Sequence, residues 1–322
     1  MNKLVATDTT FSAEEIEEIR AKCAGVMDAE GYNQADVARL AGVAYGTFTG
    51  WFKGTYAGNN SKVAGEVQIW LSGISEKKQA SSRIPRVPDY VETPSTIEFM
   101  SALQYAHVLP EIAIIAGGAG ISKTTACEQY ARTNRNVWLA TMDPSSKGTH
   151  GMLLELAEIL GVTEKSPTKL SKAIVRRVDG TNGLIIIDEA QHLTTEALDQ
   201  ARSIYDRARG TVGLVLVGNE TVYAQLEGNG RKAGFAQLFS RIGVRCTQSI
   251  PRAEDMCALI AAWDVTEKEE IRYLKAIARK PGALRGMTKC LQLASLLANG
   301  EGAPRSIKHI KMAWEKHSSS AA

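Results

Sequence analysis

The 322 residues include 44% hydrophobic and 23% charged side chains, an ordinary globular balance that excludes intrinsic disorder, collagen and coiled coil. The net charge of +3 is unevenly spread: residues 1–75, 76–100, 101–250 and 251–322 balance at −3, 0, +2 and +4, so positive charge collects toward the C-terminus. No apolar run nears the ~20 residues that span a bilayer, and the N-terminus lacks the basic-then-apolar order of a signal peptide, so a soluble cytoplasmic protein with no membrane partner is expected. Cys23, Cys127, Cys246, Cys257 and Cys290 are scattered and odd in number, which predicts buried free thiols and no zinc site.

Residues 11–75 carry helical periodicity throughout, opening on a capping box at Ser12-Ala-Glu-Glu15. Within them, Gln34–Val43 followed by Ala44–Lys53 resembles a phage-repressor helix-turn-helix. Ala38 is small where two helices cross, Gly42 supplies the positive φ of the turn, and Val37, Val43, Phe48 and Trp51 form the buried face. The exposed positions of the second helix would be Tyr45, Thr47, Thr49 and Lys53. None is an arginine, asparagine or glutamine, so direct base reading should be poor, and both weak DNA contact and protein contact stay open for this module.

Composition changes at Glu76, and Pro85, Pro88 and Pro94 follow, predicting a linker over 76–95. Beyond it, apolar runs at Ile112–Ala116, Val137–Thr141, Leu184–Ile187, Leu214–Val217 and Val244–Ser249 alternate with amphipathic stretches, the pattern of an α/β fold with a parallel sheet over 96–250. From 251 to 322 only helical segments are expected.

The first apolar run enters Gly117-Gly118-Ala119-Gly120-Ile121-Ser122-Lys123-Thr124, then a helix starting with Thr125. This is close to the G-x-x-x-x-G-K-S/T phosphate loop, whose backbone N–H groups wrap phosphates at a helix N-terminus. Lys123 would reach the β- and γ-phosphates and Thr124 would bind Mg²⁺; Ser122 stands where the pattern has glycine. About 65 residues later, Gly183–Glu189 reads as a buried strand ending in two carboxylates, Asp188 for Mg²⁺ and Glu189 for activating water.

Three further motifs sit where an AAA+ ATPase has them. Leu214–Asn219 resembles sensor 1, with Asn219 positioning the lytic water. Leu238-Phe-Ser-Arg241-Ile resembles the element that carries an arginine finger, with Arg241 reaching the neighbouring subunit's nucleotide and Arg245 a second candidate. Gly282-Ala-Leu-Arg285 resembles the sensor 2 motif of a helical lid. Together with the helix-turn-helix, the stretch Tyr90-Val91-Glu-Thr93, and Thr133–Trp138, Gly213–Asn219 and Ala278–Arg285, they make nearly the whole chain similar to the phage Mu B-type transposition proteins. The resemblance implies a P-loop AAA+ core with a helical lid and an all-α N-terminal domain, with Val91 at the nucleotide. It also implies an ATP- and Mg²⁺-dependent ATPase that binds double-stranded DNA largely without sequence preference, forms helical filaments, selects target DNA and activates a Mu A-like transposase. Two rival readings share some of these motifs: a helicase loader or initiator-like AAA+ ATPase, and a helix-turn-helix transcriptional regulator with a degenerate ATPase.

Inward loops holding DNA need basic and hydroxyl groups that contact phosphate. Lys147 and Thr149 in Met142–His150 have that composition. Lys172 and Arg176, with Lys169 and Arg177 nearby, form a second group, for which a solvated helix face is the alternative. Lys308, His309, Lys311 and Lys316 form a third basic stretch, suited to DNA or to an acidic transposase segment.

Overall fold

The computed structural model describes residues 10–82, 90–208, 210–221 and 241–318. The chain divides into two compact units, residues 1–85 and 86–322.

The first unit is all helical: α1 (Ala13–Glu30), α2 (Gln34–Leu40), α3 (Tyr45–Phe52) and α4 (Asn60–Ser82). The Ser12 hydroxyl accepts from the Glu15 N–H at 3.2 Å while the Glu15 carboxylate accepts from the Ser12 N–H at 2.7 Å, satisfying two donors that a helix start leaves open. Gly42, at φ +72°, turns the chain between α2 and α3, and Val37, Ala38, Val43, Phe48 and Trp51 form the core with Val63, Ala64 and Val67 of α4. Of the four positions expected to be exposed on α3, Tyr45 and Lys53 are exposed, whereas the Thr49 hydroxyl is buried because the helix rotates it toward its neighbours. The composition change at Glu76 does not end α4, since Lys, Gln, Ala and Ser are all compatible with a helix. Pro85 and Pro88 of the expected linker lie outside the described residues.

The second unit begins with α5 (Pro94–Val108), capped by Thr93 and started by Pro94 at a position where no N–H is needed. Five parallel strands follow: β1 (Ile112–Gly117), β2 (Val137–Thr141), β3 (Gly183–Asp188), β4 (Val212–Gly218) and β5 (Ile242–Gln248), ordered β2-β3-β4-β1-β5. The crossovers carry α6 (Lys123–Thr133), α7 (Thr149–Leu160), α8 (Pro167–Val178) and α9 (Thr195–Arg207).

The central strands are apolar at successive positions because both faces are covered. Ile112, Ile114, Ile185, Ile187, Leu214 and Leu216 face the core shared with α7, α8 and α9, while Ala113, Ile115, Leu184, Ile186, Val215 and Val217 face α5 and α6. The lid has its own core and comprises α10 (Ala253–Ala262), α11 (Lys268–Ala278), α12 (Ala283–Gly300) and α13 (Ile307–Ser318). No helix among the described residues is long and apolar enough to cross a membrane. Cys23, Cys127, Cys246 and Cys290 are buried free thiols, as expected, but Cys257 is exposed, because it falls on the outer face of α10.

Candidate functional site

In a parallel sheet, loops leaving the carboxyl ends of the strands share one edge. Here β4 lies between β1 and β3, so that edge brings the loop after β1, the carboxylates after β3 and Asn219 after β4 side by side. A cavity of ≈ 480 Å³ opens there, lined by Ser122, Lys123, Thr124, Glu189, Asn219 and Arg285, and also by Val91, Ala119, Gly120 and Thr125. Its volume falls in the range of small-ligand sites.

The glycines of the loop answer to close packing. A Cβ on Gly118 would lie 2.0 Å from the Ser249 carbonyl oxygen, and one on Gly120, at φ +80°, 2.2 Å from that of Gly282. The Leu284 N–H donates to the Gly120 carbonyl at 3.1 Å, so the first turn of the lid helix α12 is joined directly to the loop and Arg285 enters the cavity. Ser122 takes the backbone that glycine would, at φ +71° and ψ 22°, and its hydroxyl makes no cap to α6. A left-handed conformation costs an L-residue about 1–2 kcal/mol. Ser122→Gly should therefore raise stability by about 1 kcal/mol, net of the extra freedom of glycine in the unfolded chain. Denaturant melts would check this, and an unchanged or lowered midpoint would refute the strain.

Lys123 donates from Nζ to the Gly117 and Gly118 carbonyls at 2.8 and 2.7 Å, holding its ammonium at the mouth of the loop. Burial pushes its pKa down, opposed by the Asp188 and Glu189 carboxylates. Asp188 is 1% exposed and accepts from the Thr124 hydroxyl at 2.7 Å. Burial pushes its pKa up, while hydrogen bonds from Thr124 and the Glu189 N–H act the other way. A hydroxyl and a buried carboxylate converging in this manner suit a hard, oxygen-seeking cation. Among the described residues no group of three or more His, Cys, Asp or Glu side chains could hold a metal by itself, so such a cation would draw its remaining ligands from phosphate and water.

Gln191, which motif reading passed over, also lines the cavity, together with Thr93, Leu259, Thr288, Lys289 and Gln292. Lys289 stands four residues after Arg285, a spacing that puts both cations on one face of α12 and could have flagged it.

Arg241 lies elsewhere. Its Nη1 pairs with Asp206 of α9 at 2.6 Å, beside Arg202, which reaches the same oxygen at 2.5 Å, and Arg241 is not among the residues lining its own chain's cavity. Leu238, Phe239 and Ser240 of its motif lie outside the described residues. Arg245 sits in β5 opposite Ile114.

The basic groups separate. Lys147 is exposed on the loop between β2 and α7, at the cavity edge of the sheet. Asp143 shapes that loop by accepting from Ser145 and Ser146, which hold its carboxyl down to about 2, and the Lys147 carbonyl accepts from the Thr194 N–H at 2.9 Å. Thr149 starts α7. Lys172, Arg176 and Arg177 are all exposed on α8, and Arg177 also donates to the Leu160 carbonyl at 3.0 Å and stacks on Trp138. That contact places the C-terminus of α8 at the far end of α7, about 16 Å from Thr149. In the lid, Lys308 pairs with Glu301 and Lys311 with Glu269, and His309 is buried against Glu301 and Ser306, so the third basic stretch is largely paired and its histidine is not a surface group.

Residues 240–316 match the family model of the Mu B transposition protein C-terminal region, and residues 109–226 match an AAA domain. The chain is 36% identical over 303 residues to the ATP-dependent target DNA activator B of Escherichia phage Mu, covering 94% of this chain and 95% of that protein. It is 33% identical over 261 residues to the Mu-like prophage FluMu DNA transposition protein B of Haemophilus influenzae, covering 80% and 89%. Among solved structures, it resembles the Aeropyrum pernix ORC1 protein in complex with DNA, with TM-score 0.55 and 18% identity, covering 74% of this chain and 69% of that one. The A. pernix ORC2 protein gives TM-score 0.52 and 18% identity, covering 69% and 66%. At those identities the ORC proteins share the AAA+ fold alone, whereas the identity to the phage proteins runs along nearly the whole chain. The chain belongs to the family of Mu-type target DNA activator B proteins.

Proposed function

We propose that this protein is an ATP- and Mg²⁺-dependent ATPase that binds double-stranded DNA largely without sequence preference, assembles on it as a helical homo-oligomer in the host cytoplasm, selects target DNA and activates a partner transposase. The observation that carries this reading is the convergence of Lys123, Thr124, Glu189, Asn219 and Arg285 on one cavity, with Asp188 bonded to Thr124 beneath it, in a chain this similar to an ATP-dependent target DNA activator.

In this reading the loop N–H groups and Lys123 bind the β- and γ-phosphates. Thr124 and Asp188 would hold Mg²⁺, which would neutralise developing phosphate charge. Glu189 orients and deprotonates water, Asn219 positions it, and Arg285 brings the lid onto the nucleotide. Val91 and Thr93 lie on the side of the cavity nearest α5 and would face the nucleoside. Arg241, engaged away from its own cavity, serves the neighbouring subunit, so ATP bridges subunits and hydrolysis loosens them.

Lys147, on the loop between β2 and α7, and Thr149, at the start of α7, are the first choice for DNA phosphate contact, and Lys172 and Arg176 a second contact along the same subunit. Of the four side chains considered for base contact, only Tyr45 on α3 and Lys53 just beyond it are exposed, so the N-terminal helices would add little base recognition. A DNA binding titration with ATP, ADP or no nucleotide tests the reading: affinity should require ATP and vary little with sequence, and ATP-independent or site-restricted binding would refute it. Lys147→Ala should weaken binding alike on unrelated duplexes and reduce the salt slope by about 0.9 per subunit. A loss confined to particular sequences would exclude phosphate contact.

A further inference from the structure

Gln191 follows Glu189 on the short 3₁₀ turn Ala190–His192, and its side-chain amide spans two elements of the cavity. Its Nε2 donates to the Glu189 carboxylate, and its Oε1 accepts from the Asn219 backbone N–H at 3.1 Å. A carboxylate can only accept and an N–H can only donate, so these partners set the orientation of the amide. They also define the side chain required: Glu would keep the acceptor and lose the donor, and Leu would lose both. The two anchors are themselves restrained. Glu189 holds a left-handed backbone at φ 54° with its N–H on Asp188 Oδ1 at 2.8 Å. The Asn219 side-chain oxygen accepts from the Thr221 N–H at 2.9 Å and its hydroxyl at 2.5 Å.

We propose that Gln191 is a positioning residue for ATP hydrolysis, holding the Glu189 carboxylate at a set distance from the end of β4 so that the groups that orient the attacking water keep their mutual geometry. The proposal rests on Glu189 being the base. Gln191 touches neither phosphate nor metal in this role. Its effect is to remove the freedom of a flexible carboxylate before ATP arrives, which raises turnover without adding to nucleotide binding.

The test uses the full chain with Gln191→Leu, Gln191→Glu and, as a reference, Glu189→Gln. Steady-state phosphate release, the Kd for a fluorescent ATP analogue, and hydrogen exchange at Asn219 are read together. Gln191→Leu should lower kcat by about 10- to 100-fold, the worth of one hydrogen bond to a charged group, with Kd within about threefold of wild type and faster exchange at Asn219. Gln191→Glu should lose at least as much turnover, through a missing donor and a facing like charge, yet keep wild-type protection at Asn219. Wild-type or raised kcat in either variant overturns the proposal, as does a loss of kcat matched by an equal loss of affinity, which would mark a merely structural role. If instead Glu189→Gln hydrolyses ATP normally, the assignment of the base fails; if Glu189→Gln is inactive while Gln191→Leu is not, the positioning role alone fails.

Discussion

Glu189→Gln should bind ATP within a few-fold of wild type and hydrolyse it ~10²- to 10⁴-fold more slowly, the usual contribution of a positioned general base. The substitution keeps the size of the side chain and removes its capacity to take a proton. Fold and cavity should survive, because the carboxylate accepts a hydrogen bond from the Gln191 amide, which Gln can still meet through its carbonyl oxygen. Asp188, 1% exposed and bonded to Thr124, is left in place. Blocked hydrolysis should also prolong whatever assembly ATP supports. Phosphate release and nucleotide binding, measured on one preparation, check both halves; unchanged turnover would remove Glu189 from the chemistry.

Arg241→Ala should leave ATP binding intact and lower DNA-stimulated hydrolysis by ~10³-fold, the lower range for loss of an arginine finger. The geometry behind this is the pairing of Arg241 with Asp206 on α9, away from its own cavity. The pair is partly exposed, and such pairs contribute at most about 1 kcal/mol, so a general loss of stability would not account for an effect of this size. Mixing supplies the decisive arm. Arg241→Ala subunits retain an intact nucleotide site and Glu189→Gln subunits retain an intact finger, so a mixture should recover activity at junctions that join the two. Absence of any recovery, or normal hydrolysis by Arg241→Ala alone, would contradict action between subunits.

The strands were legible because burial on both faces writes continuous apolar runs. The run at 137–141 coincides with β2, and the others differ from the observed strands by one or two residues at their ends. Strand order was not legible, since each βα unit looks alike in sequence; inserting β4 between β1 and β3 is what brings Asn219 between Lys123 and Glu189. Around the site, Lys123, Thr124, Asp188 and Glu189 stood out because their chemistry sits at fixed spacing from glycines and a strand end. Gln191 and Lys289 carry no motif and are recruited by proximity. Arg177 is the exposed cation that its charge and helix position suggest, but its contacts with Trp138 and the Leu160 carbonyl, distant in sequence, were not legible. Thr49 and His309 were likewise misplaced, since neither hydroxyl burial nor a capping histidine follows from local pattern.

The separation between a near-neutral total charge and a function on DNA resolves if binding is collective. A subunit offering Lys147 and Thr149 at one edge, and Lys172 and Arg176 on α8, would make few phosphate contacts, and its affinity alone would be modest. Assembly through shared nucleotide would multiply those contacts along the duplex. Electron microscopy of the full chain with random-sequence duplex DNA, in ATP, in ADP and without nucleotide, tests this most directly. Continuous filaments on DNA in ATP alone are the predicted result. Discrete rings in ATP, or binding confined to particular sites and indifferent to nucleotide, would contradict it.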